Sequence, residues 1–311
     1  MIIDCFTFYN ELKMLKFRFA EMNDVVDWFV LVEATRTFTG KEKKLFFKEN
    51  QHLYEEYKHK IIHIVVDDMP IEGDAWARET FQRNAIDRGV STLQLTESDI
   101  ILISDVDEII NTILLKNLRF IPSFRGSILF HLDFYYYNLT TRNKQAFSRT
   151  MLATYDVYNN MGRSPQSIRF SQPFNYIDNK AGWHFSYFFD EYMISNKIQN
   201  FSHTELNLEK FTNLENIRER VRMGVDLFDG EGAKWEQIPI EQNSFLPNNY
   251  KLLFDDSDNK YVLSTDVRQR RREAASELKN ISAAATSLAE AASAAAAALE
   301  ASELLLEHMF H

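Results

Sequence analysis

The chain has 311 residues, with 35 Lys or Arg against 45 Asp or Glu and a formal net charge of −10. This acidic balance disfavours a general nucleic-acid binder, because affinity for a phosphate backbone needs clustered basic residues. Only nine residues are glycine, and they form neither a dinucleotide-binding G-x-G-x-x-G motif nor a Walker-type phosphate loop.

The first hundred residues alternate helix-like and strand-like patterns. Apolar residues at helical spacing predict three helices, over 11–22, 49–59 and 74–88. Continuous apolar runs predict four buried strands, over 1–8, 27–33, 60–66 and 99–104. Because continuous apolarity indicates a sheet that is covered on both faces, the pattern predicts an α/β fold with a mostly parallel central sheet.

The middle of the chain is richer in aromatic residues. Here the pattern predicts three strands joined by irregular connections, over 130–139, 168–176 and 182–189. Helical spacing returns over 208–223, and a loop-rich stretch follows over 226–261.

The C-terminal tail differs in composition from the rest of the chain. Fourteen alanines lie between residues 274 and 301, and small or apolar residues recur there at alternating steps of three and four. We therefore predict a domain over 1–264 and an Ala-rich helical tail over 265–311. The tail is either a solvated helix, stabilised by the helix propensity of alanine, or a helix through which the chain forms homo-oligomers.

The strongest local feature is the sequence ISDVDE at residues 103–108. The buried strand ends there, so Asp105 and Asp107 lie at the edge where open parallel sheets bind ligands, and alternation points both side chains the same way. Two carboxylates at one edge repel each other, and a hard divalent cation such as Mg²⁺ or Mn²⁺ would remove that cost. The alternative is a solvated acidic turn that caps the following helix.

Two further segments add candidate residues to this edge. Arg83, on the predicted helix 74–88, could neutralise a phosphate or could be solvated at the surface. His184, in AGWHFS, is either a third metal ligand or a hydrogen-bonded core residue.

Five segments in register resemble a known family of enzymes. They are DCFTFYNELKMLKFR, DVVDWFVLVEATRTFTG, HKIIHIVVDDMP, ISDVDEI and AGWHFSYFF. Together they resemble glycosyltransferase family 17, the β-1,4-mannosyl-glycoprotein 4-β-N-acetylglucosaminyltransferase family that makes the bisecting GlcNAc of N-glycans. The resemblance covers about residues 2–254 and does not include the tail.

The resemblance implies a GT-A-type fold and an inverting, Mn²⁺- or Mg²⁺-dependent transfer of GlcNAc from UDP-GlcNAc to a glycan hydroxyl. It implies that Asp105 and Asp107 are the family's D-x-D motif, which holds the metal and the donor. Asn10 and Glu11 fall on the first strand–helix turn, where such folds hold uracil and ribose, and Glu33 matches the acid that ends the second strand.

The same resemblance suggests a catalytic base. Asp229, in the segment DLFDG, matches the family pattern and is the first candidate, and Glu108 is the structural or catalytic alternative. Trp183 and His184 match the family's G-W-H sequence. Trp183 and Tyr136 could stack on the sugar rings of the acceptor that the resemblance implies, although aromatic runs more often belong to the core. Asp190 and Glu191 lie close by but match no family position.

Two other functions are also compatible with this sequence. One is a catalytically silent carbohydrate-binding or scaffold module, which would be free to lose the carboxylates at 105, 107 and 108. The other is a metal-dependent nucleotidyltransferase, which normally needs a glycine loop near the first strand, and residues 4–11 contain no glycine.

The sequence also bears on the compartment. The single cysteine, Cys5, cannot form an intrachain disulfide, and the apolar runs are shorter than a membrane span. Unlike the eukaryotic members of the family, the chain shows no recognisable N-terminal anchor or signal segment. We therefore expect a soluble, cytoplasmic protein.

Overall fold

The structure is a computed structural model that describes residues 1–119, 124–172, 175–177, 179–229 and 235–253. Within these residues the strands are β1 (Ile2–Phe8), β2 (Trp28–Ala34), β3 (Ile61–Val66), β4 (Ile100–Asp105), β5 (Glu108–Ile110), β6 (Ser127–Tyr136), β7 (Thr141–Thr154), β8 (Asn175–Ile177), β9 (Gly182–Ser186) and β10 (Trp235–Gln237). The predicted boundary at 264 and the Ala-rich tail over 265–311 lie outside the described residues.

The helices alternate with the strands in the first half of the chain. The described α-helices are α1 (Leu12–Met22), α2 (Phe46–Asn50), α3 (Ala75–Asn84), α4 (Ile86–Val90), α5 (Thr112–Arg119), α6 (Tyr155–Asn160), α7 (Pro165–Arg169), α8 (Glu191–Asn200), α9 (Glu209–Thr212) and α10 (Leu214–Met223). Shorter 3₁₀ segments cover Gln51–Lys60, Thr204–Leu206, Ile240–Gln242 and Tyr250–Leu253. No helix among the described residues is both long enough and apolar enough to cross a membrane.

The first four strands form the parallel part of the sheet. They lie in the order β3-β2-β1-β4, and each neighbouring pair runs parallel. The chain builds outward from β1 to β3 and then returns to the other side of β1 for β4. The point where the order reverses therefore lies between β1 and β4, where Thr7 is in register with Asp105. Open α/β sheets bind ligands beyond the carboxyl ends of strands at such a point.

Beyond β4 the sheet becomes mixed. β4 pairs antiparallel with β7, β7 antiparallel with β6, β6 parallel with β9, and β9 antiparallel with β5. With β8 and β10 included, five of the nine pairings among described strands are parallel. The predicted α/β class and mostly parallel sheet are confirmed, and the antiparallel extension is new.

The core explains why the first strands are apolar on both faces. Phe6, on β1, packs in the cluster that contains Phe19 of α1, and Ile3 and Cys5 pack in the cluster on the opposite face of the sheet. There α4 approaches β2 so closely that a Cβ at Gly89 would lie 2.5 Å from Cγ1 of Val30. A glycine is required at this contact.

Three sequence predictions differ from the structure. The predicted strand over 168–176 is wrong at its start and right at its end, where β8 begins at Asn175. Pro165–Arg169 is helical, because the Ser164 side chain accepts the Ser167 N–H at 3.1 Å and Pro165 begins the helix. The predicted helix over 208–223 is two helices, separated at Asn213, whose side chain caps the second. The predicted helix over 49–59 is largely the 3₁₀ segment Gln51–Lys60.

Candidate active site

A cavity of about 450 Å³ opens where β1 and β4 end. Its walls come from the ends of these strands, from α3 and α8, and from the segments that follow β2 and α8. Both acids of the D-x-D sequence, Asp105 and Asp107, line it. The two carboxylates thus lie in one cavity at the edge of the sheet, and their role as a metal or donor site stays a prediction.

The turn that carries these acids is held from below by Arg18. This arginine of α1 has no solvent exposure and is paired with Asp4 of β1. Its Nη1 donates to the backbone carbonyls of Asp105, Val106 and Glu108, at 3.0, 3.2 and 2.8 Å. The two acids thus face the cavity because a buried guanidinium shapes their turn, and not because the strand continues as an extended chain.

Asp105 lies between two arginines. Its Oδ1 is 3.3 Å from Nη2 of Arg83, and its Oδ2 is 2.8 Å from Nη2 of Arg169. The hydroxyl of Thr7, its register partner on β1, donates to Oδ1 at 3.3 Å. Burial would raise the pKa of Asp105, but Arg169 and Arg83 outweigh it and lower the pKa to about 2. The carboxylate is therefore ionised at neutral pH.

Glu108 lies beneath the turn and has no solvent exposure. Arg169 binds it with two hydrogen bonds of 2.5 and 2.9 Å, and the Thr150 hydroxyl and the Asp105 N–H donate to it at 2.6 and 3.2 Å. Such a saturated, buried carboxylate fits the structural alternative for Glu108, because it fixes Arg169 and the turn.

Asp107 contacts a lysine with one oxygen and a histidine with the other. Its Oδ2 is 3.1 Å from Nζ of Lys197, and its Oδ1 is 3.6 Å from Nε2 of His184. Burial would raise the pKa of Asp107, but Lys197 and His184 outweigh it and hold the pKa far below its usual range. Lys197 is also 3.8 Å from Glu11, which lines the same cavity.

These ion pairs form two networks with an uneven charge. One network runs from Glu79 of α3 through Arg83, Asp105 and Arg169 to Glu108, and the other joins Asp107, Lys197 and Glu11. Together they contain five carboxylates and three cations, which leaves a formal charge of −2 with a neutral histidine. One divalent cation would balance this charge.

The residues present fit such a cation. His184 lies flat on Phe134, with ring centroids 4.8 Å apart, and turns Nε2 towards Asp107 while its buried Nδ1 has no hydrogen-bond partner within the described residues. Carboxylate and imidazole ligands suit Mn²⁺, and Mg²⁺ commonly takes one or two carboxylates together with substrate phosphates. In the described ranges no group of three His, Cys, Asp or Glu side chains is arranged to hold a metal. A metal here would thus need oxygen ligands from the substrate or from water.

Two predicted donor residues occupy the edge of the site and not its wall. Glu33 is fully buried, where it accepts the Phe47 N–H at 3.0 Å and contacts Lys43 at 3.6 Å. Asn10 is mostly buried, and its side chain donates to Asn196 of α8 at 3.4 Å. By contrast, Arg83 is buried and lines the cavity, so it is not a solvated surface residue.

Of the two predicted acceptor residues, only one lines the cavity. Trp183 lies in the core: it is 2% exposed, stacks on Phe245 at 4.5 Å and donates its indole N–H to that residue's carbonyl. It does not belong to the cavity wall, so the structure does not place it where it could stack on an acceptor sugar. Tyr136 does line the cavity, although its ring packs closely on Trp235.

Asp229 also lies away from the cavity wall. Its side chain is 48% exposed and is paired with Lys210 at 3.2 Å and with Arg220. The two pairs lower the pKa of Asp229 below its usual value. The preceding residue, Phe228, does line the cavity. Asp229 could act on a bound substrate only by leaving both cations.

Sequence reasoning missed several residues that make the site. Arg169 fell in a segment predicted to be a strand, and Lys197 and Arg18 lie on helices with no local sign of a site. On α3, the exposed Trp76 and the partly buried Glu79 line the cavity one helical turn apart. Their helix was predicted, and an i, i+3 spacing was the signal that they share one face.

Relatives of known function are similar to part of the chain. The β-1,4-mannosyl-glycoprotein 4-β-N-acetylglucosaminyltransferases of Rattus norvegicus and Homo sapiens are each 33% identical to it over 114 residues, and that of Mus musculus is 32% identical. The aligned segment covers 35% of this chain and 21% of each relative, so the match spans about a fifth of the relatives' length.

Comparisons of structure and of family pattern cover more of the chain. The crystal structure of S. aureus TarS 1–349 covers 70% of this chain and 72% of its own, with 14% identity and a TM-score of 0.35. The model of glycosyltransferase family 17 matches residues 1–238. Because that match includes both acids of the turn, all three cations paired with them and most of the sequence, the chain belongs to glycosyltransferase family 17.

Proposed function

We propose that the protein is an inverting glycosyltransferase that moves GlcNAc from UDP-GlcNAc to a hydroxyl of a mannose-containing glycan, forming a β linkage. The observation that carries this proposal is the pair Asp105 and Asp107 at the switch point of the sheet, which lines one cavity together with its partners Arg83 and Lys197. The names of the similar mammalian enzymes support GlcNAc as the sugar and a mannosyl glycan as the acceptor.

The donor diphosphate would bind between the two ion-pair networks. Arg83 and Lys197 both line the cavity, and their cationic groups match phosphate oxygens. Mn²⁺ or Mg²⁺ that takes one or two ligands from Asp105, Asp107 and His184, and the others from the diphosphate and water, would add Lewis-acid stabilisation of the departing UDP. Arg169 keeps Asp105 ionised and fixed for that role.

The acceptor would enter at the aromatic mouth of the cavity. Trp76 is 44% exposed there, and the His203 ring meets it edge to face with centroids 4.6 Å apart. An exposed ring beside polar groups offers the apolar face on which a sugar can stack. A partly exposed tryptophan at the mouth of a cavity supports a carbohydrate ligand.

A carboxylate must take the proton from the attacking hydroxyl. Asp229, the candidate from the family pattern, is paired at the surface, whereas Glu79 lies in the cavity wall one helical turn from Trp76. Glu79 accepts from Arg83 at 2.6 Å with one oxygen and from the Ser202 hydroxyl with the other. We propose that an acceptor hydroxyl replaces Ser202 on Glu79, which then serves as the base.

A donor panel tests this function without knowledge of the acceptor. The full chain is incubated with Mn²⁺ and UDP-GlcNAc, UDP-galactose, UDP-glucose or GDP-mannose, and release of the nucleoside diphosphate is followed. We expect UDP-GlcNAc to be hydrolysed fastest and Asp107→Asn to lower that rate at least about 100-fold. The surface variant Asp68→Asn is the matched control, since Asp68 pairs with Arg88 in an exposed ion pair and neither residue lines the cavity.

The outcomes separate the candidate functions. UDP binding without turnover of any donor would favour the silent carbohydrate-binding module. Equal turnover by Asp105→Asn, Asp107→Asn and the wild type would show that the carboxylate pair is not the donor site.

A further inference from the structure

Lys197 brings a positive charge from a distant helix onto the second acid of the D-x-D turn. It lies on α8, and its ammonium group is 3.1 Å from Oδ2 of Asp107 and 3.8 Å from Oε1 of Glu11. The faces of Tyr187 and Phe189 lie 5.5 Å from Nζ and fix its direction. Its side chain is 22% exposed and lines the cavity.

This placement divides the two oxygens of Asp107 between different partners. Oδ2 faces Lys197, whereas Oδ1 faces Nε2 of His184 at 3.6 Å. An ammonium group at this distance repels a second cation at the same carboxylate and attracts an anion in the same cavity.

We infer that Lys197 is a charge-setting residue of the donor site, which weakens the binding of a divalent cation alone and strengthens the binding of a nucleoside diphosphate alone. This inference rests on the proposed function, and it makes Lys197 the first group that the donor diphosphate contacts. The diphosphate then adds the negative charge that the cation needs, so the site favours cation and nucleotide together over the cation by itself.

The test measures the two ligands separately by isothermal titration calorimetry. Mn²⁺ without nucleotide, and UDP in the presence of EDTA, are titrated into the wild type, Lys197→Met and Lys197→Arg. We expect Lys197→Met to bind Mn²⁺ at least about 5-fold more tightly and UDP at least about 10-fold more weakly. Lys197→Arg keeps the charge, and both affinities should stay within about 3-fold of the wild type.

Opposite changes in the two affinities separate charge setting from a structural role. Lys58→Met, which removes an exposed lysine paired with Glu55, controls for the loss of one positive charge. If Lys197→Met weakens both ligands, or changes neither, the inference is wrong. If Lys197→Met does not fold, the affinities of Lys197→Arg and the competition between pyrophosphate and UDP for the wild type in EDTA are the test. Pyrophosphate that fails to compete with UDP would also contradict the inference.

Failure of the proposed function gives a different result. A wild-type chain that binds no UDP even with Mn²⁺ present would contradict the donor site itself. A wild type that binds and hydrolyses UDP-GlcNAc, combined with unchanged affinities in Lys197→Met, would overturn the role of Lys197 alone.

Discussion

Arg169 and Glu108 form a bidentate ion pair beneath the D-x-D turn, with hydrogen bonds of 2.5 and 2.9 Å between fully enclosed groups. The same guanidinium reaches Asp105 at 2.8 Å. One buried cation therefore joins a structural acid to an acid of the cavity. Damage to this pair should affect both the stability of the fold and the site.

Removing the Arg169 charge should strongly destabilise the protein. Arg169→Met leaves Glu108 as a buried charge with no cation, and we expect a loss of about 3–5 kcal/mol in the free energy of unfolding, measured by urea denaturation. Arg88→Met breaks an exposed pair with Asp68 and should cost less than about 1 kcal/mol. Adding Glu108→Gln to Arg169→Met should recover part of the loss, and a further loss would argue against the ion pair as the cause.

The low pKa of Asp105 makes its contribution to stability depend on pH. Its pKa falls from 3.8 to about 2 on folding, so the stabilisation is complete above about pH 4 and is lost as the pH falls towards 2. We expect the difference in urea midpoint between the wild type and Asp105→Asn to shrink over that range. Circular dichroism at pH 7, 5, 3.5 and 2.5 measures it.

Asp133 provides a control with the opposite sign. Burial raises the pKa of Asp133 despite its pair with Arg142, so the wild type should gain stability relative to Asp133→Asn as the pH falls. A difference for Asp105→Asn that does not change with pH would show that its carboxylate is not held by the two arginines.

The aromatic mouth of the cavity should be needed for sugar binding. Trp76→Ala removes the exposed ring, and we expect saturation-transfer NMR with methyl β-mannoside to lose the ring-proton signals, with affinity falling at least about fivefold. Tyr176→Ala removes another exposed ring, which stacks on His131 and does not line the cavity, and should leave the signals unchanged. Equal signals in both variants would place the acceptor elsewhere.

The two candidate bases can be separated by kinetics. We expect Glu79→Gln to lower kcat for transfer at least about 100-fold with little change in UDP affinity, because Glu79 lines the cavity beside Trp76. Asp229→Asn should change kcat less than about threefold, since its carboxylate is paired with Lys210 at the surface. The reverse pattern would assign the base to Asp229, as the family resemblance suggests.

Local sequence patterns predicted the strands whose burial is visible in a short stretch of sequence. Strands β1 to β4 are continuous apolar runs, and their burial on both faces made them visible. β7 was missed because much of Thr141–Thr154 is polar or half-exposed, with no clear alternation. α7 was missed because its cap, Ser164, and its first residue, Pro165, outweighed the apolar pattern that followed.

The residues of the site were also only partly predictable from the sequence. The placement of Asp105 and Asp107 at the edge of the sheet could be predicted, because these acids come directly at the end of a buried apolar strand. Their partners could not: Arg169 is 64 residues from Asp105, and Lys197 is 90 residues from Asp107. Ion pairs between such distant residues depend on the packing of whole helices, which no local spacing encodes.

That separation along the chain has a consequence for synthesis. Every acid of the two networks lies within the first 108 residues, whereas Arg169, His184 and Lys197 follow residue 160. An emerging N-terminal half therefore carries an excess of negative charge at the end of its sheet until the later helices dock. The second half offsets part of that charge through Arg169 and Lys197, so two fragments divided near residue 120 should assemble by charge as well as by apolar contact.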